Sequence, residues 1–353
     1  MNEAVFTIGN HGFGTYHAEI KSGQIHLEPA ASTPKFILAP GFVDQHIHGS
    51  FGIDFMEASS DQIQIWADKL SELGYEGFVP TTVTSSAEAV LSAVGNLPAD
   101  DIRILGFHLE GPFLSPLFPG AQPQDSITEI PQGPSEWDEV FDHPRLRVIT
   151  LAPEIPGAAN LISRLHQRDV RVGMGHTNAL YKEAESAFRA GAGHSTHTFN
   201  AMRPFHHREA GVIGFCLDQS HFACELIYDR VHVCKESAMV LTQCKGSHGV
   251  IAVSDGTKAS GMEEGTRLTM WGLDVVVGRS DVRLQSGALA GSSITLLDAF
   301  KNLANDFGPE LAIRATSLNP RAYLGLKSKA KVYCLFTQSL DLVEVIRLDS
   351  DQN

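Results

Sequence analysis

The sequence predicts an α/β protein whose main part is a (β/α)8 barrel of the TIM type. Strand-like apolar segments alternate with helix-like segments through most of the 353 residues, and this alternation indicates a parallel sheet. Eight such strands indicate closure into a barrel, whose strands carry their active site at the carboxyl ends. Most of the eight end on a residue that can bind a metal ion or transfer a proton. We therefore expect residues that are far apart in the sequence to meet on one face.

The individual elements follow from apolar periodicity and from Gly, Pro and Asn punctuation. The predicted barrel strands are residues 37–48, 77–83, 102–111, 146–152, 170–176, 195–200, 223–229 and 250–255. The predicted helices are residues 61–73, 87–94, 158–167, 179–190, 235–244 and 292–305. Both ends of the chain contain short β-like runs without a helical period, so we expect residues 1–36 and 326–353 to pair into one small β domain beside a barrel of residues 37–325.

Composition excludes some classes of function. The net charge is −14, from 27 basic and 41 acidic residues, which argues against proteins that bind nucleic acid or membrane surfaces through a basic face. No apolar stretch approaches the roughly 18 residues of a membrane helix. The five cysteines form no C-x-x-C pair, and the sequence starts without a basic and then apolar leader. We therefore expect reduced thiols, a cytoplasmic location, and neither a nucleic-acid nor a membrane partner.

Three residues at predicted strand ends are candidate metal ligands. Glu110 ends an apolar strand, where a carboxylate is costly unless it is bound to metal or, as the alternative, paired in a salt bridge. A single histidine on a strand is usually a core residue with satisfied hydrogen bonds. His176 and His197 end successive predicted strands, and it is harder for both to be structural. Imidazole and carboxylate together suit a hydrolytic metal ion.

Three further residues extend this site. His46 and His48 are two apart on one strand and therefore point to the same side, so both could bind one ion. Chance explains such a pair equally well when it stands alone, but its place after a buried strand of the barrel pattern favours ligation. Asp255 ends the last predicted strand. Beside a metal ion it could take a proton from water and return it to a leaving group, whereas its structural alternative is a helix N-cap.

Taken together, these motifs resemble the N-acetylglucosamine-6-phosphate deacetylases of the amidohydrolase superfamily. The matching stretches are residues 40–49, 108–114, 120–122, 175–179, 196–202, 207–209, 253–255, 289–293 and 319–321, with Gly211. The resemblance implies a barrel with a small β-sandwich domain formed by the two ends of the chain. It also implies metal-dependent hydrolysis of the acetamide of N-acetylglucosamine 6-phosphate, which gives glucosamine 6-phosphate and acetate in amino-sugar catabolism.

The same resemblance implies roles for the reacting groups. Glu110, His176 and His197 would hold the main metal ion, and His46 and His48 would hold a second in members that keep this pair. Asp255 would be the general base and acid. We expect one or two divalent ions, with zinc first and iron, manganese or cobalt as alternatives.

The resemblance further implies a set of substrate contacts. Gln122 would help polarise the acetyl carbonyl, Arg208 would contact the phosphate, and His232 would contact the sugar. Asn200 and Ala201 would offer backbone contacts. The implied assembly is a homodimer in which Arg208 reaches into the neighbour's site.

Several positions depart from the family pattern and leave the sugar open. Arg230 stands where the family usually has Gly, Ala210 stands where Pro is common, and Phe118-Pro119 replaces basic residues. Deacetylation of N-acetylgalactosamine 6-phosphate or of another N-acyl amino compound is therefore an alternative. A non-catalytic sugar-phosphate sensor is a further alternative, but such a protein would be expected to have lost Asp255 or a ligand. The predicted fourth and fifth strands do not end in lysine, which argues against the branch with a carboxylated lysine.

Overall fold

The computed structural model of the protein describes residues 3–21, 23–284, 287 and 289–348. Its strands, in chain order, are β1 (Ala4–Gly9), β2 (Gly12–Lys21), β3 (Gln24–Pro29), β4 (Phe36–Pro40), β5 (Phe42–Ile47), β6 (Gly49–Ser50), β7 (Ile53–Asp54), β8 (Tyr75–Pro80), β9 (Phe107–Glu110), β10 (Leu146–Leu151), β11 (Arg171–Met174), β12 (His194–Ser195), β13 (Ala223–Ile227), β14 (Val250–Val253), β15 (Arg267–Met270), β16 (Leu273–Val277), β17 (Asp281–Leu284), β18 (Leu289–Ser292), β19 (Val332–Thr337) and β20 (Leu342–Arg347).

The helices are α1 (Ser60–Glu72), α2 (Ala87–Gly95), α3 (Trp137–Phe141), α4 (Ala158–His166), α5 (Tyr181–Ala190), α6 (Gly211–Asp218), α7 (Lys235–Lys245), α8 (Leu296–Phe307), α9 (Pro309–Ile313) and α10 (Asn319–Tyr323). A 3-10 turn covers Gln124–Ser126, and a π-helical turn covers Arg314–Leu318.

Eight parallel strands form the predicted barrel. Strands β9 to β14 make a six-stranded sheet in chain order, and β5 pairs with β8. A bridge between Phe78 and Ile104 joins β8 to the segment before β9, and a bridge between Ile47 and Gly256 joins β5 to the segment after β14. The pairing therefore follows a ring, and each of its strands runs in the same direction.

The barrel is held together by apolar side chains between strands and helices. Every residue of β5 and of β14 is buried. Helix α8 shows the matching pattern on the outside, because Leu296, Phe300 and Leu303 are buried and lie four and three residues apart on one face. No helix within the described ranges is long and apolar enough to cross a bilayer.

The two ends of the chain pair with each other. Their six-stranded sheet has the order β20-β19-β4-β1-β2-β3, while its division as a separate sandwich domain stays a prediction. The predicted strand 37–48 is in fact two strands, β4 in this sheet and β5 in the barrel. They meet at Gly41, where an added Cβ would lie 2.8 Å from the Cβ of Val332 and 2.9 Å from that of Glu76. Only glycine fits where the chain passes between the two sheets.

A four-stranded antiparallel sheet was not expected from the sequence. Strands β15 to β18 form it between β14 and α8. Its first hairpin turns at Trp271, which has a φ of 53°. This sheet also moves the start of the following helix, because the helix predicted at residue 292 begins at Leu296.

Candidate metal centre

The six residues expected to bind metal or move a proton meet at the carboxyl ends of the barrel strands. They form two groups in which one ligand atom of each residue lies within 4.8 Å of the others. The first group is Glu110, His176 and His197, and the second is His46, His48 and Asp255.

In the first group, the potential ligand atoms lie close to the spacing of a metal site. Glu110 Oε1 is 3.2 Å from His176 Nε2 and 3.1 Å from His197 Nε2. The two Nε2 atoms are 3.0 Å apart. Ligand atoms about 2.0–2.1 Å from a tetrahedral zinc ion are roughly 3.3 Å from one another. A small outward adjustment of this group would therefore admit an ion.

The second group lies directly beside the first. Asp255 Oδ1 is 3.2 Å from His46 Nε2 and 3.2 Å from His48 Nε2. Glu110 connects the groups, because its Oε2 is 3.2 Å from His48 Nε2 and its Oε1 is 3.4 Å from His46 Nε2. This carboxylate therefore lies within reach of both groups.

The imidazole rings turn one particular nitrogen towards the cluster. Three of the four histidines have an oxygen beside Nδ1, which requires the proton on Nδ1 in a neutral ring and leaves Nε2 as a lone-pair donor. The pairs are His46 with Glu225 Oε2 at 3.1 Å, His48 with the Thr81 carbonyl at 3.2 Å, and His176 with the Phe118 carbonyl at 3.1 Å. In the described part of the chain, the buried Nδ1 of His197 has no hydrogen-bond partner. This orientation of the rings fits metal ligation.

The electrostatics of the cluster also favour a cation. Burial opposes a charge on the imidazoles, but the carboxylates of Glu110 and Asp255 outweigh it and raise the pKa of His46 well above its usual range. The same competition raises the pKa of His48 to about 9. Conversely, the imidazoles hold the pKa of both carboxyls below the usual range despite burial. The two carboxylates thus stabilise positive charge here, and a divalent ion would supply it.

Three of the six residues adopt an unusual backbone conformation. His176, His197 and Asp255 have φ values of 47°, 32° and 45°. Each lies two residues beyond the last residue of its strand, whereas the sequence placed them within the predicted strands. A positive φ is uncommon for a non-glycine residue, and such strain concentrates at functional sites.

A cavity of about 170 Å³ opens above the cluster. Four of the predicted substrate contacts line it, namely Gln122, Asn200, Ala201 and His232. Gln122 is held at both ends of its amide, since its Nε2 donates to Glu110 Oε2 at 2.6 Å and its Oε1 accepts from the Thr84 amide at 2.8 Å. This amide therefore lies directly beside a candidate metal ligand.

His232 is fixed by a neighbouring carboxylate. Its Nδ1 is 2.5 Å from Asp229 Oδ2, and its backbone amide donates to Asp229 Oδ1 at 2.7 Å. Burial lowers the pKa of His232, but Asp229 outweighs burial and the net shift is upward. Because Asp229 occupies Nδ1, the Nε2 of His232 is left for a partner in the cavity.

The remaining predicted contact, Arg208, lies elsewhere. It is exposed and its Nη1 is 3.1 Å from His207 Nε2. Among the described residues, those that line the cavity include neither an arginine nor a lysine. A single chain therefore brings together ten of the eleven predicted site residues and leaves out the one assigned to the phosphate.

Two residues at the site were missed from the sequence. Glu225, in β13, contacts His46 from below, and it could have been noticed by the argument used for Glu110, because it is a lone carboxylate in an apolar strand. Trp271 lines the cavity with its ring centroid 5.6 Å from that of His48, and its Nε1 donates to Asp54 Oδ2 at 3.1 Å. No pattern around Trp271 indicated this position.

Comparison with known proteins agrees with the geometry. The model of the amidohydrolase family matches residues 37–330. An N-acetylglucosamine-6-phosphate deacetylase of Lysinibacillus sphaericus is 34% identical over 306 residues, which are 84% of this chain and 79% of that protein. An N-acetylgalactosamine-6-phosphate deacetylase of Escherichia coli is 34% identical over 298 residues, 82% of this chain and 78% of that protein.

A solved structure is similar over nearly the whole chain. It is a mutant N-acetyl-D-glucosamine-6-phosphate deacetylase from Mycobacterium smegmatis in complex with N-acetyl-D-glucosamine-6-phosphate. Its TM-score is 0.89 at 29% identity, and the match covers 98% of this chain and 96% of that one.

Proposed function

Because this chain belongs to the amidohydrolase family, we propose that it hydrolyses the acetamide of N-acetylglucosamine 6-phosphate to glucosamine 6-phosphate and acetate, a reaction of amino-sugar catabolism. The observation that carries the proposal is the pair of ligand groups, with Asp255 among them, on the floor of one cavity. Deacetylases of this substrate are among the relatives. The sensor alternative has little support, because the expected ligands and Asp255 are all present and close together.

The first group of ligands would hold the main ion, and His46 and His48 would take part in holding a second. Zinc suits this set of imidazole and carboxylate ligands best, with iron, manganese or cobalt as alternatives. Such an ion supplies Lewis-acid polarisation of the amide carbonyl and a lower pKa for water. An amide is a poor electrophile, so this chemistry is what an acetamide hydrolase requires.

Asp255 would carry the proton. Its pKa is held below the usual range by His46 and His48 despite burial, so it is ionised at neutral pH and can accept a proton from the attacking water. It would then deliver that proton to the leaving amine. Its place at the edge of the ligand cluster and in the cavity wall suits both steps.

The other cavity residues would position the substrate. The Nε2 of Gln122 donates one hydrogen to Glu110, and its second could reach the acetyl oxygen. His232, held through Nδ1 by Asp229, would offer its remaining nitrogen to the sugar. Asn200 and Ala201 would contribute backbone contacts beside them.

The phosphate would be bound across a homodimer. Residues 204–208 form an exposed loop that ends on Arg208. The cavity lining in the described ranges contains no arginine or lysine to balance a phosphate charge. A planar guanidinium from the neighbouring chain would provide that balance, with two parallel hydrogen bonds. We also propose that the protein acts in the cytoplasm, without nucleic-acid or membrane partners.

Deacetylation of N-acetylgalactosamine 6-phosphate is the second candidate. The relative from Escherichia coli that carries this name is as similar in sequence as the first relative, at 34% identity. The two sugars differ only in the orientation of one hydroxyl group.

A screen of acetate release would test the proposal. Purified protein would be given N-acetylglucosamine and N-acetylgalactosamine, each with and without a 6-phosphate, and its metal content would be measured by elemental analysis. We expect fastest release from N-acetylglucosamine 6-phosphate and about one or two divalent ions per chain. Chelation should abolish the release, and added zinc should restore it. Release without bound metal, or none from any of the four sugars by metal-loaded protein, would contradict the proposal.

A further inference from the structure

Glu225 is a buried carboxylate beneath the candidate metal centre. It lies in the middle of β13 and is 0% exposed. Its Oε2 accepts from His46 Nδ1 at 3.1 Å and from the backbone amide of His197 at 3.1 Å. We infer that Glu225 is a positioning residue that holds one ligand from each group, His46 and His197, in the arrangement that binds metal. This inference rests on the proposed metal site.

The contact with His46 fixes the ring in the state that a metal requires. A carboxylate beside Nδ1 keeps the proton there, so that the lone pair of Nε2 faces the ligand cluster, in which Asp255 Oδ1 and Glu110 Oε1 lie 3.2 and 3.4 Å from this nitrogen. A negative charge behind the ring also makes that lone pair a stronger donor. Without Glu225, the ring of His46 would be free to place its proton on either nitrogen.

The contact with His197 acts through the backbone. Its φ of 32° is unfavourable for a residue with a side chain. The ring of His197 also differs from the other three imidazoles of the cluster, since in the described ranges its Nδ1 has no acceptor to orient it. The hydrogen bond from the His197 amide to Glu225 therefore helps to keep Nε2 3.1 Å from Glu110 Oε1.

The other partners show that the carboxylate is built into the barrel. Its Oε1 accepts from Gln45 Nε2 at 2.7 Å and lies 3.5 Å from His194 Nε2. His194 in turn is 2.7 Å from the hydroxyl of Tyr323. A buried carboxylate is costly unless its oxygens are hydrogen-bonded. A role in stability alone is therefore the competing explanation, and only a measurement of metal binding separates the two.

Two variants of different severity give that measurement. Glu225→Gln keeps the shape and can still accept from His46 and His197 through one oxygen. Its new amide hydrogens would face Gln45, whose own Oε1 has no partner in the described structure, so Gln45 can turn and accept. The glutamine variant should therefore fold and lose only the charge. Glu225→Ala removes the charge and all hydrogen bonds.

The readout is metal affinity by competition with a zinc-binding chelator, which does not depend on catalysis. For Glu225→Ala we expect affinity to fall by about 10–100-fold, the usual cost of losing such an outer contact. The zinc affinity of Glu225→Gln should lie between those of Glu225→Ala and the wild type. Glu76→Gln is the matched control, because Glu76 pairs with Arg321 at 2.8 Å, away from the cavity, and it should bind zinc as the wild type does.

Each outcome decides the question. A lower melting temperature with unchanged zinc affinity in both Glu225 variants would show a structural role only and would overturn the inference. If Glu225→Ala does not fold, a Glu225→Gln affinity equal to that of the wild type would overturn it equally. If the wild type itself binds no zinc or other divalent ion, the proposed function fails first and the inference falls with it.

Discussion

The floor of the cavity and the loop of residues 204–208 are built in opposite ways. On the floor, six side chains from five different parts of the barrel converge, and five of them are buried. The loop is exposed throughout, and the hydrogen bonds of its last residue, Arg208, stay within the loop: the backbone amide donates to His206 Nδ1 at 3.3 Å, and Nη1 is 3.1 Å from His207 Nε2. Both regions were assigned to the same reaction from the sequence.

The difference separates hydrolysis from recognition of the phosphate. All the residues proposed to act at the reacting atoms lie within one chain. A cation for the phosphate does not line the cavity in the described structure, although the loop offers one on the surface. The proposed chemical centre thus lies within one barrel, whereas the proposed phosphate contact would depend on how two barrels meet.

The largest expected effect on activity comes from replacing Asp255 on the floor of the cavity. Asp255→Asn keeps the shape of the side chain but removes the proton acceptor, so kcat should fall by roughly 10²–10⁴-fold. The ion that Glu110, His176 and His197 are proposed to hold should remain. Steady-state kinetics on N-acetylglucosamine 6-phosphate with elemental analysis would check both expectations.

The same replacement of aspartate by asparagine, made outside the cavity, is the matched control. Asp138 pairs with Arg164 at 2.7 Å on the outer helices, and Asp138→Asn should leave kcat unchanged. If Asp255→Asn retained more than a tenth of the wild-type activity, the proton transfer would have to be assigned to another group.

The floor was also the part best predicted from the sequence. Parallel strands in a barrel bring their carboxyl ends to one face, so Glu110, His176, His197 and Asp255 could be expected together from their places in the strand pattern alone. The apolar pattern likewise located the eight barrel strands, although some predicted bounds differ by five residues from those observed. The strands and the clustering could be predicted because local sequence carries the pattern of burial, and the alternation of strands with helices implies that the strands are parallel. The roles of the clustered residues stay predictions.

Other features depend on contacts that local sequence does not carry. The left-handed backbone of His176 and Asp255 arises where the chain leaves the barrel, and no residue pattern marks it. The division of strand 37–48 at Gly41 depends on the approach of Val332, about 290 residues later in the chain. Trp271 reaches the cavity because a whole four-stranded sheet places it there.

The second largest effect on activity is expected from replacing Arg208 in the loop. Arg208→Ala should lower kcat/KM for the 6-phosphate substrate by about 10–100-fold, since hydrogen bonds to charged groups contribute about 1.5–3 kcal/mol. The unphosphorylated sugar should be affected little. Kinetics on both substrates would check the difference. Equal losses on both would show that Arg208 stabilises the structure instead of contacting the phosphate.

The third effect tests whether the loop serves a neighbouring chain. Arg208→Ala and Asp255→Asn variants would be unfolded and refolded together. If Arg208 acts across a two-fold interface, each mixed dimer contains one site with both residues intact, so roughly a quarter of wild-type activity should return. If Arg208 serves its own chain, no site is repaired. Absence of rescue, with mixed dimers confirmed by mass, would contradict the shared site and leave the deacetylase proposal standing.

The smallest effect is expected from Arg230, a second arginine near the cavity, which departs from the family pattern beside His232. Its Nε donates to Asp306 at 2.7 Å, and Lys235 and the hydroxyl of Tyr228 hold the same carboxylate at 3.0 and 2.7 Å. The guanidinium is thus engaged with α8 and is not part of the described cavity lining. Arg230→Ala should therefore change kcat/KM by less than about 3-fold, because the guanidinium does not line the cavity. The loss of a partly exposed ion pair should cost at most about 1 kcal/mol of folding stability.

Arg230→Gly separates the side chain from the backbone at the same position. The φ of 66° is left-handed, so glycine relieves a strain of about 1–2 kcal/mol that alanine keeps, while its extra loss of chain entropy offsets roughly 0.5–1 kcal/mol. We expect the glycine variant to melt slightly higher than the alanine variant, with kinetics equal to it on both epimeric 6-phosphates. A change in the ratio of the two epimers in both variants would show instead that the arginine side chain shapes the sugar pocket, and it would extend the region of recognition from the loop to the segment that carries His232.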